Sequence, residues 1–124
     1  FLVDDEQRAI DSLSKLLKTN FEGIEVLGSA NTIMEAKRGI LETKPKLVFL
    51  DIEMGPESGF NLLENLDSID FHIVFVTAHE EFALKAIKFS ALDYIIKPVS
   101  ISDLKQLFQK VESTSLKEED LKVK

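Results

Sequence analysis

Three aspartates, a threonine and a lysine stand where short apolar runs end, and that placement could do chemistry. Phe1-Leu2-Val3 leads into Asp4-Asp5, Leu47-Val48-Phe49-Leu50 into Asp51, the run 72–76 into Thr77, and the run 93–96 into Lys97. If these runs are parallel strands of one sheet, all five side chains come to one edge. Three carboxylates gathered there repel one another, so either one is protonated or a cation is bound. Hard oxygen ligands in a small, partly open site suit Mg²⁺, which keeps several waters and leaves a place for a substrate phosphate. A carboxylate beside such an ion can attack phosphorus to give an acyl phosphate. That transfer needs little beyond alignment and charge neutralisation. Lys97 would supply a positive charge for the phosphoryl oxygens, Thr77 a hydroxyl donor, and the backbone N–H groups around Ala78 further donors.

Each residue taken singly has a plainer reading. Asp4 and Asp5 suit a helix N-terminus, Asp51 a loop, Thr77 a strand end or cap and Lys97 a solvated surface. Tyr94 suits half-buried packing. It is their joint occurrence at successive strand ends that favours the chemical reading.

The elements that must position them alternate. After the first strand, Ala9, Ile10, Leu13, Leu16 and Leu17 recur at helical spacing. Gly23 breaks that helix, and the sequence from Ile24 to Ala30 predicts a second strand. Thr32 with Glu35 forms a capping-box pattern for a second helix, which should stop before Pro45. Leu47 to Leu50 is apolar throughout, as a strand covered on both faces would be. Beyond Gly55, Pro56 and Gly59, a third helix is predicted to carry Leu62, Leu63, Leu66 and Ile69. A strand from His72 to Val76, a helix from about Glu80 to Phe89 and a strand from Asp93 to Ile96 follow. In the last helix Ser100 and Asp103 form a capping pair ahead of the stripe Leu104, Leu107, Phe108 and Val111. The prediction is an α/β, doubly wound, five-stranded parallel sheet in the order 2-1-3-4-5 with five helices. Residues 1–112 form the domain, and 113–124 continue the last helix or begin a linker.

Bulk properties narrow the function. The 124 residues contain no cysteine and two histidines, which excludes disulfides and thiol catalysis and leaves little to bind zinc. His72 and His79 read as surface residues. A net charge of −7 disfavours nucleic acid as a direct partner. No apolar run reaches the length of a membrane span and no signal-peptide pattern opens the chain, so a cytoplasmic, soluble protein is expected.

The segments Phe1-Leu2-Val3-Asp4-Asp5-Glu6, Leu47 through Met54, Val76-Thr77-Ala78 and Asp93-Tyr94-Ile95-Ile96-Lys97-Pro98 resemble, in order and over nearly the whole chain, the CheY-like receiver domains of two-component response regulators. The stretch Phe82 to Tyr94 further resembles receivers that precede a LytTR-type DNA-binding domain. The resemblance implies that Asp51 is the phosphoacceptor. It implies that Asp4, Asp5, Asp51 and the Glu53 backbone carbonyl hold Mg²⁺, and that Lys97 and Ala78 meet the phosphoryl group. The Lys97–Pro98 bond would be cis. Thr77 would move toward the phosphoryl oxygen and Tyr94 turn inward behind it, altering the surface of the fourth helix, fifth strand and fifth helix.

A sensor histidine kinase is the implied partner. Homodimerisation through that surface is expected, with Phe82, Ala86 and Ile87 among Lys85 and Lys88. DNA would be met only through an output domain beyond Lys124, and no membrane is expected. Such a domain assists its own phosphorylation and slow dephosphorylation without being an enzyme in the ordinary sense. Glu53 and His79, two positions after Asp51 and Thr77, stand where the family tunes dephosphorylation.

Two departures stand out. Gly55-Pro56 reverses the family's usual order, and the short first strand implies a start a few residues into the domain. Two rivals remain. A phosphatase of the haloacid-dehalogenase kind would need an Asp where Glu53 stands and a Thr close behind. A pseudo-receiver would keep the fold without accepting phosphate.

Overall fold

The structure, a computed structural model, describes residues 1–123, with side chains as far as Ser113. Its sheet is built from β1 (Leu2–Val3), β2 (Ser29–Ala30), β3 (Leu47–Leu50), β4 (His72–Thr77) and β5 (Asp93–Ile96), all parallel, in the spatial order β2-β1-β3-β4-β5. The crossovers carry α1 (Gln7–Asn20), α2 (Ile33–Thr43), α3 (Gly59–Glu64) and α4 (Ala83–Lys88), and α5 (Ile101–Val123) follows the last strand. The expected doubly wound order is therefore the one that forms.

Strand alternation explains the two-sided core. Leu2, Phe49, Val74 and Val76 face α1 and α5, where Ile10, Leu13, Leu17, Leu104 and Leu107 cover them. Val3, Val48, Leu50, Ile73 and Phe75 face the other way, against Ile33, Ala36 and Ile40 of α2, Leu62 and Leu63 of α3, and Ala86 of α4. With both faces covered, the strands can be apolar at every position.

Helix ends follow local chemistry. The Thr32 hydroxyl accepts from the Glu35 N–H at 3.1 Å, while the Glu35 carboxylate accepts from the Asn31 N–H at 3.4 Å. Lys44 leaves the right-handed helical region, with φ of 49°, directly before Pro45. At α5, Ser100 and Asp103 exchange side chain to backbone bonds of 3.0 Å each, the capping pair expected there.

Four boundaries differ from the sequence expectation. The second strand is Ser29–Ala30 rather than the whole of 24–30. It pairs with β1 through Leu2 opposite Ser29 and Val3 opposite Ala30. The third helix ends at Glu64, short of Leu66 and Ile69. There the Asn65 side chain bonds the Asn61 carbonyl and Ser68 bonds Asp70, polar side chains that favour turns over further helix. The fourth helix begins at Ala83, after a turn in which the Ala83 N–H bonds the Glu80 carbonyl, and it ends at Lys88.

The fourth difference is a small antiparallel hairpin, Glu53–Met54 against Glu57–Ser58, turning on Gly55 and Pro56. Gly55 has a φ of 65°, the left-handed value that the first central position of a II′ hairpin turn requires, and Pro56 holds the second. The reversed Gly-Pro order thus fits the local structure. The stretch after 112 continues α5 as far as Val123, and Lys124 lies outside the described residues.

Candidate functional site

β1, β3, β4 and β5 end side by side, and the residues that follow or close them meet at one edge. Asp4, Asp5 and Asp51 each place a carboxylate oxygen so that all three lie within 4.8 Å of one another. Asp4 and Asp51 are buried and Asp5 is exposed. Lys97 reaches across from the end of β5, its ammonium 2.7 Å from Asp4 Oδ2 and 3.0 Å from Asp51 Oδ2. The other oxygens of the two buried aspartates accept backbone N–H groups, Glu6 onto Asp4 at 2.9 Å and Glu53 onto Asp51 at 3.3 Å. The Lys97–Pro98 bond is cis, as expected.

Charge and burial compete here. Burial raises the Asp51 pKa above the ordinary aspartate value, against the opposing pull of Lys97, and the neighbouring Asp4 charge raises it further. Burial alone would lower the Lys97 pKa, but its bonds to Asp4 and Asp51 outweigh that and hold it above the usual lysine value. Lys97 is thus a fixed cation in a nest of carboxylates.

Thr77 is fully buried at the end of β4, with its hydroxyl oxygen 3.4 Å from the His79 N–H. Thr77 and Ala78 line an open cleft of about 590 Å³ together with Asp5, Asp51, Glu53 and Lys97. Tyr94 stands apart from that cleft: half-buried, it packs beside Phe75 and donates its hydroxyl proton to the His79 carbonyl. His79 and Glu53, noted separately in the sequence, are bonded to each other at 2.9 Å, with Glu81 on the other imidazole nitrogen at 3.3 Å.

The hard oxygen donor set fits Mg²⁺. Oxygens bound to one such ion at about 2.1 Å lie no more than about 4.2 Å apart, so the three carboxylates need only small side-chain adjustments.

Sequence reasoning passed over two residues. Gly59, the first residue of α3, donates its N–H to the Ile52 carbonyl at 2.7 Å, and a Cβ there would overlap the Asp51 backbone carbonyl. Its only sequence signal was its place among loop glycines. Phe60 beside it is buried against Phe75 and Phe89, with ring centroids 5.0 and 5.4 Å away, and the Lys85 ammonium sits 4.7 Å above its ring. No local pattern announces such a hub, because its partners come from distant elements.

Residues 1–109 match the family of response regulator receiver domains. The chain is 38% identical over 112 residues to the sensory transduction protein LytT of Bacillus anthracis, covering 88% of this chain and 45% of that protein. It is likewise 38% identical over 112 residues to the sensory transduction protein LytR of Staphylococcus haemolyticus, covering 89% of this chain and 43% of that protein. The chain thus spans less than half the length of these curated relatives. Among solved structures, the response regulatory domain of protein mrkE from Klebsiella pneumoniae superposes with a TM-score of 0.79 at 31% identity, over 91% of this chain and 93% of that one.

Proposed function

The chain belongs to the response regulator receiver domain family, and from that premise we propose that it accepts a phosphoryl group on Asp51 from a sensor histidine kinase with Mg²⁺ bound at Asp4, Asp5, Asp51 and the Glu53 carbonyl. One observation carries the reading: carboxylate oxygens of Asp4, Asp5 and Asp51 lie within 4.8 Å of one another, and Lys97 bonds two of the three residues. A structural ion pair would need no third carboxylate, and leaving one exposed beside an open cleft serves a ligand from solvent.

The residues divide the work. An Asp51 carboxylate oxygen attacks phosphorus as the bond to the donor imidazole nitrogen breaks, giving an aspartyl phosphate and free histidine. When bound, Mg²⁺ neutralises charge on the aspartates and the phosphoryl oxygens. Lys97 adds a fixed positive charge, and the Thr77 hydroxyl and Ala78 N–H donate to the transferred group. Binding of the Thr77 hydroxyl to the phosphoryl group favours one of two arrangements of Thr77 and Tyr94, and so one surface of α4, β5 and α5. On this reading residues 1–112 are the switch, and 113–124 lead toward an output domain that controls transcription. The domain works in the cytoplasm and assists its own phosphorylation and slow dephosphorylation without turning over a substrate.

The test is an intact-mass spectrum after incubation with Mg²⁺ and acetyl phosphate, beside Asp51→Asn. One added phosphoryl group on the native chain alone is the expected result. If neither acetyl phosphate nor phosphorylated histidine kinases give an adduct on folded protein, the chain is a pseudo-receiver. Catalytic release of phosphate from simple monoesters would point instead to a phosphatase.

A further inference from the structure

The acidic turn that begins at Asp4 follows directly on β1. On the nitrogen side the Asp4 N–H bonds the Ala30 carbonyl at 3.1 Å, the last rung of the pairing between β1 and β2. On the carbonyl side no strand continues. There the Asn31 side chain takes over, its amide nitrogen donating to the Asp4 carbonyl at 3.0 Å across 27 residues of chain. The Asn31 backbone N–H is in turn bonded by Glu35 from the first turn of α2. Asn31 thereby extends β2 with a side chain and fixes the peptide that joins the two aspartates.

We propose that Asn31 is a positioning residue for the cation site: its amide holds the Asp4–Asp5 peptide so that both carboxylates face Asp51. This rests on the Mg²⁺ reading given above. The physical reason is preorganisation, since carboxylates that must be gathered at the moment of binding cost affinity that gathered ones do not. Asn31 touches neither the ion nor the phosphoryl group. Its effect passes wholly through the Asp4 carbonyl.

The experiment measures Mg²⁺ affinity by isothermal titration of the full chain, native against Asn31→Asp and Asn31→Ala. Asn31→Asp is the sharper probe. It keeps shape and adds a negative charge near the cation, which by Coulomb attraction would tighten binding, but it removes the Asn31 donor to the Asp4 carbonyl. The inference requires weaker binding in both variants, by about three- to tenfold, as expected for one lost orienting bond. Thr32→Ala is the control. It removes the α2 cap at the same junction and lowers the unfolding midpoint, yet leaves the Asn31 amide in place, so its Mg²⁺ affinity should equal that of the native chain. Native-like affinity in Asn31→Ala, tighter binding in Asn31→Asp, or an equal loss in Thr32→Ala would each overturn the role of Asn31. If the native chain itself binds no Mg²⁺, the cation reading falls and this inference with it.

Discussion

At the scale of single residues, Asp51 is held in a state that binding partners can improve. Its pKa is raised chiefly by burial. A carboxyl of that kind stabilises the fold when protonated. The contribution is complete below its ordinary value of 3.8 and is lost as pH rises through the raised native value. Asp51→Asn should therefore gain stability relative to the native chain as pH climbs through that window in metal-free buffer. The gap should then shrink when Mg²⁺ is added. Urea unfolding across pH with and without chelator checks both, and a gap independent of pH would mean that Lys97 fully offsets the burial. The Glu53–His79 pair sets a different expectation. Their side chains are 59% and 40% exposed, so the bond is worth no more than about 1 kcal/mol, or about fivefold in a rate. Glu53→Ala and His79→Ala should each change the dephosphorylation rate within that range, and the double variant should match one single variant rather than the product of both. The two positions were legible in sequence, but their contact was not, because it depends on where the Glu53 hairpin sits relative to β4.

At the scale of elements, what could be read was whatever local periodicity and capping decide. The β3 and β5 limits, the Thr32 and Ser100 caps and the stop before Pro45 all follow from neighbours in sequence. What could not be read was decided by partners further along the chain: the pairing of β2 with β1, which takes in only Ser29 and Ala30, and the packing of Gly59 on Asp51. The five chemical residues were legible because each sits at the end of an apolar run. Gly59 supplies the prediction at this scale. A methyl group there would overlap the Asp51 carbonyl, and neither partner can give, since one is the start of α3 and the other the backbone of Asp51. Gly59→Ala should cost about 1–3 kcal/mol or more and displace the Asp51 loop. It should therefore slow phosphorylation beyond what the fraction unfolded explains. Denaturant melts and adduct formation measured on the same sample separate the two effects. Normal phosphorylation in a destabilised but folded variant would show that the Asp51 carbonyl tolerates the shift.

At the scale of the whole molecule, the surface proposed to pair would do so on an acidic body. The face expected to pair, on α4 with β5 and α5, differs in detail from the sequence reading. Ala86 is buried and Phe82 packs inward, so the apolar residues that α4 leaves outside are Leu84 and Ile87, 80% and 70% exposed and one helical turn apart, with Lys85 and Lys88 beside them in sequence. Burying one such side chain is worth about 1.5–3 kcal/mol, so four across a symmetric pair give about 6–12 kcal/mol. Association costs about 4–15 kcal/mol before any contact is made. Leu84 and Ile87 alone thus leave the equilibrium near balance, the condition in which a phosphorylation-linked change can decide it. Two copies each carrying −7 also repel one another, and at 0.15 M salt that repulsion is screened beyond about 8 Å. Sedimentation of the phosphorylated chain should therefore show a dimer that tightens as salt rises, the reverse of an interface held by ion pairs. Leu84→Glu or Ile87→Glu should return it to monomer while leaving the phosphoryl adduct intact. A phosphorylated chain that stays monomeric at high salt would remove this face as a self-association surface and leave it to a different partner.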